Sequence, residues 1–277
     1  MQLRAPAKIN LSFRIHGRRA DGFHEIETLM VPISLADRLT MTRLESGEGI
    51  QFECDDPSLP TADDNLVVRA ARLFFAATNR DPAVRIELGK EIPHGAGLGG
   101  GSSDAAAALL GMNELLEVDL PLERLAALAS EIGSDVPFFL FRSAAICRGR
   151  GELVAPAPLS QRLPLLLLKP ALGVPTPSAY SRWKDSRELP NVVYAAQEFA
   201  GFTFVNDLER PVFEKHVFLA AAKMWLLSQP EVAVAMMSGS GSTLFAVLRE
   251  ASAAESLAVR ARSELDAELW THACETV

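Results

Sequence analysis

Cysteine is scarce in this chain. Its 277 residues hold three, Cys54, Cys147 and Cys274, an odd number set far apart with no C-x-x-C pair. That pattern excludes a disulfide framework or a paired-cysteine zinc site and fits a reducing compartment. Long hydrophobic runs are missing as well. The richest, LPLLLLKPAL, is cut by Lys169 and Pro170 and falls well short of the roughly 20 residues that cross a bilayer. The opening MQLRAPAKINLSF has no uninterrupted apolar segment, which argues against a secretory signal. Nor is there an excess of positive charge: 27 Lys and Arg stand against 35 Asp and Glu, a net −8. Neither nucleic acid nor an acidic membrane is then expected as a partner, and an anionic ligand would need a local positive site. Repeats and low-complexity segments are absent. The expectation is a soluble cytoplasmic protein, a monomer or weak homodimer.

What is present is a core-forming chain, 48% hydrophobic. AKINLSFRI, HEIETLMVPI and DRLTMTRL read as strands, with turns at HGRRADG and SLAD. DDNLVVRAARLFFAATN has helical periodicity, with Asp63 or Asp64 as its N-cap. AVRIELGKEI alternates Val84, Ile86 and Leu88 as a half-buried strand does. Helices are expected from about Ser103 to Glu117 and over PLERLAALASEIG, then SDVPFFLF as a turn and strand, then strand at SAAICRGRGELV. APAPLSQRLP marks a domain boundary, giving residues 1–154 and 155–277. Beyond it come a strand at LPLLLLKP, a short helix near TPSAYSRW and one long helix over VFEKHVFLAAAKMWLLSQ. VAVAMMSGSGSTLFAVL reads as strand, glycine turn and strand, before a last helix and a terminal strand. Strands and helices mix without regular alternation, so the expected class is α+β.

One stretch stands out: IPHGAGLGGGSSDAAAAL, in which five glycines and two serines run directly into a helix-forming segment. Gly95, Gly97 and Gly100 satisfy G-x-G-x-x-G, but the preceding strand alternates and is separated from Gly95 by KEIPH, unlike a dinucleotide-binding turn. No lysine follows the glycines as a Walker A loop requires, and neither serine sits in G-x-S-x-G. What remains is a helix N-terminus wrapped in bare backbone, whose unpaired N–H groups and dipole suit phosphates. Ser102 and Ser103 add hydroxyl donors or a ligand for a phosphate-bound metal, and Asp104 caps the helix or sits near that metal. The plain alternative is a capped helix after a loose turn.

With PHGAGLGGGSSDAA in view, the chain resembles the GHMP kinases, the superfamily of galactokinase and of homoserine, mevalonate and phosphomevalonate kinases. Its phosphate loop has the form P-x-x-x-G-L-G-S-S-A-A, here with an extra glycine and with Asp104. SGSGSTLFAV is similar to the superfamily's C-terminal glycine loop and PAKINLSFRI to its N-terminal motif. APAKINLSFRIHGRRADGFHEIETLM, GSDVPFFL, GRGE and FVNDLE narrow the resemblance to a branch whose alcohol substrate carries a cytidine diphosphate, on the non-mevalonate route to isoprenoid precursors. The resemblance implies a two-domain fold with the active site in the cleft between halves, and ATP-dependent phosphorylation of the substrate's 2-hydroxyl, with ATP and Mg2+ as the expected cofactors.

Residue by residue, the resemblance implies Asp135 and Lys8 as the catalytic pair. Asn10, Phe23, His24, Thr176 and Tyr180 would hold the substrate, with Tyr180 and Phe23 clamping the cytosine and His24 reading its edge. ATP would lie on Asn65, Pro93, Gly95, Ala96, Gly97, Leu98, Gly99, Gly100, Gly101, Ser102 and Ser103, with Gly239 and Gly241 beside them; metal ligands are left open. Taken without the resemblance, Asp135 reads equally well as a cap ahead of Val136-Pro137, Lys8 as an exposed strand lysine, and His24 as a structural histidine. The family's usual tyrosine is Phe23 here, and His94 replaces an apolar residue next to the loop; facing the cleft, it would make nucleotide binding pH-sensitive. Two other readings compete: a homoserine- or mevalonate-type kinase, whose substrate has no base to stack, and a nucleotide-binding homologue without turnover, against which Lys8 and Asp135 speak.

Overall fold

The computed structural model describes all 277 residues. Two very long strands, β1 (Gln2–Arg18) and β2 (His24–Arg43), pair antiparallel from Gln2 opposite Thr40 to Arg18 opposite His24. SLAD, expected as a turn, lies inside β2. Register shifts at Pro6/Lys8, Asn10/Ser12 and Ile15/Gly17 let the pair bend without ending, and the apolar residues Leu35 and Ala36 are buried there instead of looping out. The sheet continues with β3 (Gly49–Cys54) and β4 (Ala83–Gly89), while β5 (Ala145–Gly149) and β6 (Leu153–Pro156) form a hairpin on the other half of β2.

A second, four-stranded antiparallel sheet is built around β7 (Pro164–Lys169). Between β7 and its partners the chain forms β8 (Gln197–Phe199) and β9 (Phe202–Asn206), which return to the first sheet: β9 runs parallel to β1, with Ser12 opposite Val205. The remaining strands, β10 (Val232–Met237), β11 (Leu244–Leu248) and β12 (Trp270–Glu275), order as β10–β11–β7–β12.

Helices flank each sheet. On the first lie α1 (Leu66–Thr78), α2 (Gly100–Leu115), α3 (Leu122–Ile132) and α4 (Val136–Leu140). The short α5 (Thr176–Ser181) follows β7, and α6 (Glu209–Lys215), α7 (Val217–Leu227) and α8 (Ala254–Glu264) cover the second sheet. The uninterrupted leucines of β7 now have a reason. Leu165 and Leu167 pack between the sheets with Ile9, Leu11 and Phe245, whereas Leu166 and Leu168 face Leu219, Leu226 and Leu257. A strand buried on both faces needs no polar alternation.

Three further local expectations differ. SDVPFFLF is helix α4, not strand: Pro137 fixes a helical φ in the first turn, and Phe138, Phe139 and Leu140 are all buried. The N-cap of α1 is Asn65, whose side chain accepts a bond from Val67 N at 2.9 Å, not Asp63 or Asp64. The long C-terminal helix breaks into α6 and α7 at His216, whose φ of −122° and ψ of 71° are not helical.

Candidate active site

The phosphate loop and the second glycine loop lock together. Gly95, Gly97 and Gly99 take φ of 63°, 77° and 71°, a region that L side chains enter only at a cost. Gly99 caps α2 through backbone alone, which leaves first-turn N–H groups for a ligand. A Cβ on Gly97 would fall 2.5 Å from Ser238 O and 2.8 Å from Gly241 O. Ser238 Oγ donates to Gly97 O at 3.1 Å, and Thr243 N donates to Ala96 O at 3.1 Å. Behind this contact the FVNDLE motif finds its purpose. The Asn206 amide donates to Met237 O and Gly239 O, each at 2.8 Å, and Glu209 accepts from Met237 N at 2.9 Å. Buried Lys223, 2.6 Å from Glu209, balances its charge.

Lys8 stands where the loops meet β1. It is 4% exposed, donates to Asn10 Oδ1 at 2.8 Å and Gly97 O at 3.0 Å, and lies 3.7 Å from Asp135 Oδ2. Asn10 is held in turn by donating to Thr28 Oγ1 at 2.7 Å. Asp135 precedes α4 but caps nothing. Its carboxylate, about a third exposed at 34%, opens on a cleft instead. A buried ammonium beside a partly wet carboxylate can orient a hydroxyl, take its proton late and offset charge on a transferring phosphoryl group.

Three hollows meet there. One of about 220 Å3 contains Lys8, Asn10, Asp135, Gly239 and Ser240. It shares Gly97 and Gly99 with a cavity of about 300 Å3 along the phosphate loop, lined by Asn65, Pro93, Gly95, Gly100, Gly101 and Ser102 among others. It shares Asp135, Arg150, Thr176 and Tyr180 with a cavity of about 640 Å3 that holds Phe23, His24, Trp183 and Lys184, within the usual range of ligand sites. Thr176 Oγ1 sits 2.9 Å from Ser240 Oγ, tying this side to the second glycine loop.

The aromatic arrangement differs from a simple Phe23–Tyr180 clamp. His24 itself stacks on Tyr180, centroids 5.0 Å apart, with Trp183 edge-on at 6.0 Å, while Phe23 is 49% exposed beneath the Arg150 guanidinium at 4.8 Å. Neither Trp183 nor Arg150 was singled out from the sequence, for Trp183 belongs to no glycine or acid–base pattern. Burial, then Arg18 and Lys184, hold the His24 imidazole below the ordinary 6.5. It is therefore neutral at pH 7, and protonation sets in only as pH falls. KM for the ligand of this cavity should accordingly rise only as pH falls below 6.5, and a His24→Gln variant should lose that limb; an unchanged acid limb in the variant would assign it elsewhere.

In the cavity along the glycine loop, the Asn65 amide is occupied by its capping role and by donating to Pro60 O at 2.8 Å. His94 is exposed on this cavity's lining. Ser102 lines the cavity, whereas Ser103 lies on the far side of α2, its buried hydroxyl without a partner. Asp104 neither caps α2 nor joins a metal cluster, since no group of three His, Cys, Asp or Glu side chains is placed to hold a metal ion. It pairs at 2.9 Å with Lys90, which also binds buried Asp37. Asp37 further accepts from Glu91 N at 2.6 Å and Ile92 N at 2.8 Å. One buried cluster thus clasps both ends of the loop, joining residues 53 apart in sequence. Burial and the nearby Asp37 push the Asp104 carboxyl up from 3.8 to about 8. Its protonated form is the favoured one, so its contribution to stability is full below 3.8 and is lost as pH rises towards 8. Asp104→Asn should therefore flatten the fall of thermal stability between about pH 4 and 8; a variant with the same slope as the parent would show that another group titrates.

The chain is similar to known proteins over most of its length. The profile of the GHMP kinases N terminal domain matches residues 65–143. A Methylacidiphilum infernorum protein named 4-diphosphocytidyl-2-C-methyl-D-erythritol kinase is 45% identical over 247 residues, 88% of this chain and 84% of its own length. One of the same name from Listeria innocua is 38% identical over 263 residues, 92% and 90% of the two chains. A crystal structure of 4-(cytidine 5'-diphospho)-2C-methyl-D-erythritol kinase superposes with a TM-score of 0.81 at 37% identity, covering 100% of this chain and 99% of that one. A homoserine kinase from Cytophaga hutchinsonii, 18% identical with a TM-score of 0.69 over 100% and 94%, shares the fold.

Proposed function

Because the chain belongs to the 4-diphosphocytidyl-2-C-methyl-D-erythritol kinases of the GHMP superfamily, we propose that it transfers the γ-phosphoryl group of ATP to the 2-hydroxyl of that cytidine-linked alcohol. It is an ATP-dependent small-molecule kinase. The observation that carries the finer reading is the row of hollows that places Lys8 and Asp135 between a phosphate loop and an aromatic cavity. ATP phosphates lie on the backbone amides from Gly95 to Ser102. The acceptor hydroxyl lies between Lys8 and Asp135, and the base reaches His24, Tyr180 and Trp183. Residues 1–154 carry the nucleotide side, and 155–277 supply the second glycine loop and Tyr180. No helix is long and apolar enough to cross a membrane.

Backbone amides and a serine hydroxyl fit phosphate oxygens better than a bare cation, and no acidic cluster is placed to hold one. The loop amides and the Ser102 hydroxyl would hold the phosphates of a nucleotide carrying Mg2+, which would supply neutralisation of their charge. Lys8 orients the hydroxyl through its bonds to Asn10 and Gly97. Asp135 accepts the proton as the phosphorus–oxygen bond forms.

An ADP-release assay with the purified chain tests the substrate. Turnover is expected with the cytidine-linked alcohol and not with homoserine, mevalonate or base-free methylerythritol phosphate. Equal turnover of any of these would sink the reading. Stacking on an aromatic ring contributes about 1–3 kcal/mol per base in nucleic-acid binders, so Tyr180→Ala should raise substrate KM about 5- to 150-fold and leave KM for ATP near its parent value. An unchanged substrate KM would remove the base from this cavity.

A further inference from the structure

A fourth hollow, of about 420 Å3, lies behind the phosphate loop and shares no lining residue with the three that meet at Lys8. Ser103 and Ala107, one turn apart on α2, line one side of it, and Leu3, Ile33 and Phe139 supply apolar wall. The lining is two-natured. Eight of its 15 lining residues are hydrophobic, and it carries the exposed Arg4 and Arg142, no acidic side chain, and the terminal residue Val277. Arg4 donates to Ser34 O at 2.9 Å, while Arg142 enters no ion pair or hydrogen bond through its side chain. Ser103 also borders it, its hydroxyl buried and without a protein partner.

This groove also touches the catalytic centre from behind. A Cβ built on Gly99 would lie 2.9 Å from Phe139 Cζ and 3.0 Å from Lys8 Cγ, so the Phe139 ring backs onto the point where Gly99 and Lys8 meet. Whatever presses on that ring presses on Lys8 and on the first turn of α2.

We propose that this groove is a second, regulatory small-molecule site, which takes an amphiphile with one anionic head on Arg142 and an apolar body against Leu3, Ala107 and Phe139. An occupant reaches Lys8 through Phe139 without entering the substrate cavities, so it changes kcat more than it changes KM for ATP. The effect on turnover rests on the kinase reading above; the binding does not.

Calorimetry with octyl phosphate, octanoate and octanol on the full chain tests the binding directly. Octyl phosphate should bind with one-to-one stoichiometry in the presence of saturating ATP, and octanol, which lacks the head, about tenfold more weakly, as loss of a charged hydrogen bond predicts. Octanoate arbitrates between a phosphate and a carboxylate head. Arg142→Gln, at an exposed position, should weaken octyl phosphate about tenfold, and Ala107→Phe should fill the groove and abolish binding. If Ala107→Phe fails to fold, the Arg142→Gln result decides alone. No binding at millimolar probe, displacement by ATP, or equal binding of octyl phosphate by the parent and Arg142→Gln would each overturn the site. Partition of the chain onto anionic vesicles, lost in Arg142→Gln, with no affinity for free octyl phosphate, would overturn it in favour of membrane docking.

Discussion

Asp135→Asn is expected to lose about 10²–10⁴-fold in kcat with KM for ATP little changed, since removing a proton acceptor subtracts an interaction made only as the phosphoryl group transfers. Asparagine keeps the shape of the side chain. Asp135 caps no helix, and Lys8 retains Asn10 and Gly97 as partners after the ion pair is lost. The melting temperature should therefore stay close to that of the parent. This separates a chemical loss from a structural one. Turnover followed by ADP release, with nucleotide affinity by calorimetry, makes the distinction; near-normal kcat in the variant would end the role assigned to Asp135.

Gly97→Ala should do comparable damage by another route. The residue has φ of 77°, and its new Cβ would meet the carbonyl oxygens of Ser238 and Gly241 at 2.5 and 2.8 Å. Both are backbone atoms of a loop already held by Asn206 and Glu209, so neither retreats cheaply. The two glycine loops must then part, and a misplacement of about 1 Å at a phosphate site costs on the order of 10²-fold in turnover. Gly95→Ala is the internal control. It shares a positive φ, 63°, but its Cβ would meet nothing within 4 Å, so it isolates backbone strain of about 1–2 kcal/mol. Equal activity in the two variants would falsify the lock between loops. A Val side chain at Gly99 would collide with Phe139 and Lys8; in Gly99→Val a drop in kcat should accompany any loss of ATP affinity.

Features written in one short stretch were legible in the sequence. The phosphate loop, the alternation of Val84, Ile86 and Leu88, and the Lys8 and Asp135 motifs each depend on residues within a few positions of one another. What escaped depends on distant partners. Nothing near Asp37 in sequence announces that it will bind Lys90, and SLAD reads as a turn because its aspartate looks solvent-bound. Asn206 and Glu209 were visible as a motif, but their job lies in the backbone of Met237 and Gly239, which no side-chain pattern records. VPFFL carries no period long enough to separate five buried helical residues from a strand. The aromatic cavity was half legible: Tyr180 and His24 were placed by resemblance, while their stacking on each other and the edge of Trp183 follow from how α5 lies against β2.

The return of β9 to the first sheet bears on how the chain is made. Ser12 and Phe13 emerge from a ribosome early, yet their parallel partners Val205 and Asn206 appear only some 190 residues later. Until then one edge of the protein's longest hairpin waits with unpaired amides, and such edges invite pairing with other chains. Parallel closure across so wide a sequence gap is also slow, because its entropy is lost before its contacts form. A nascent or truncated chain that stops short of β9 should consequently be the species that aggregates and recruits chaperones, whereas the finished chain, with that edge covered, should not.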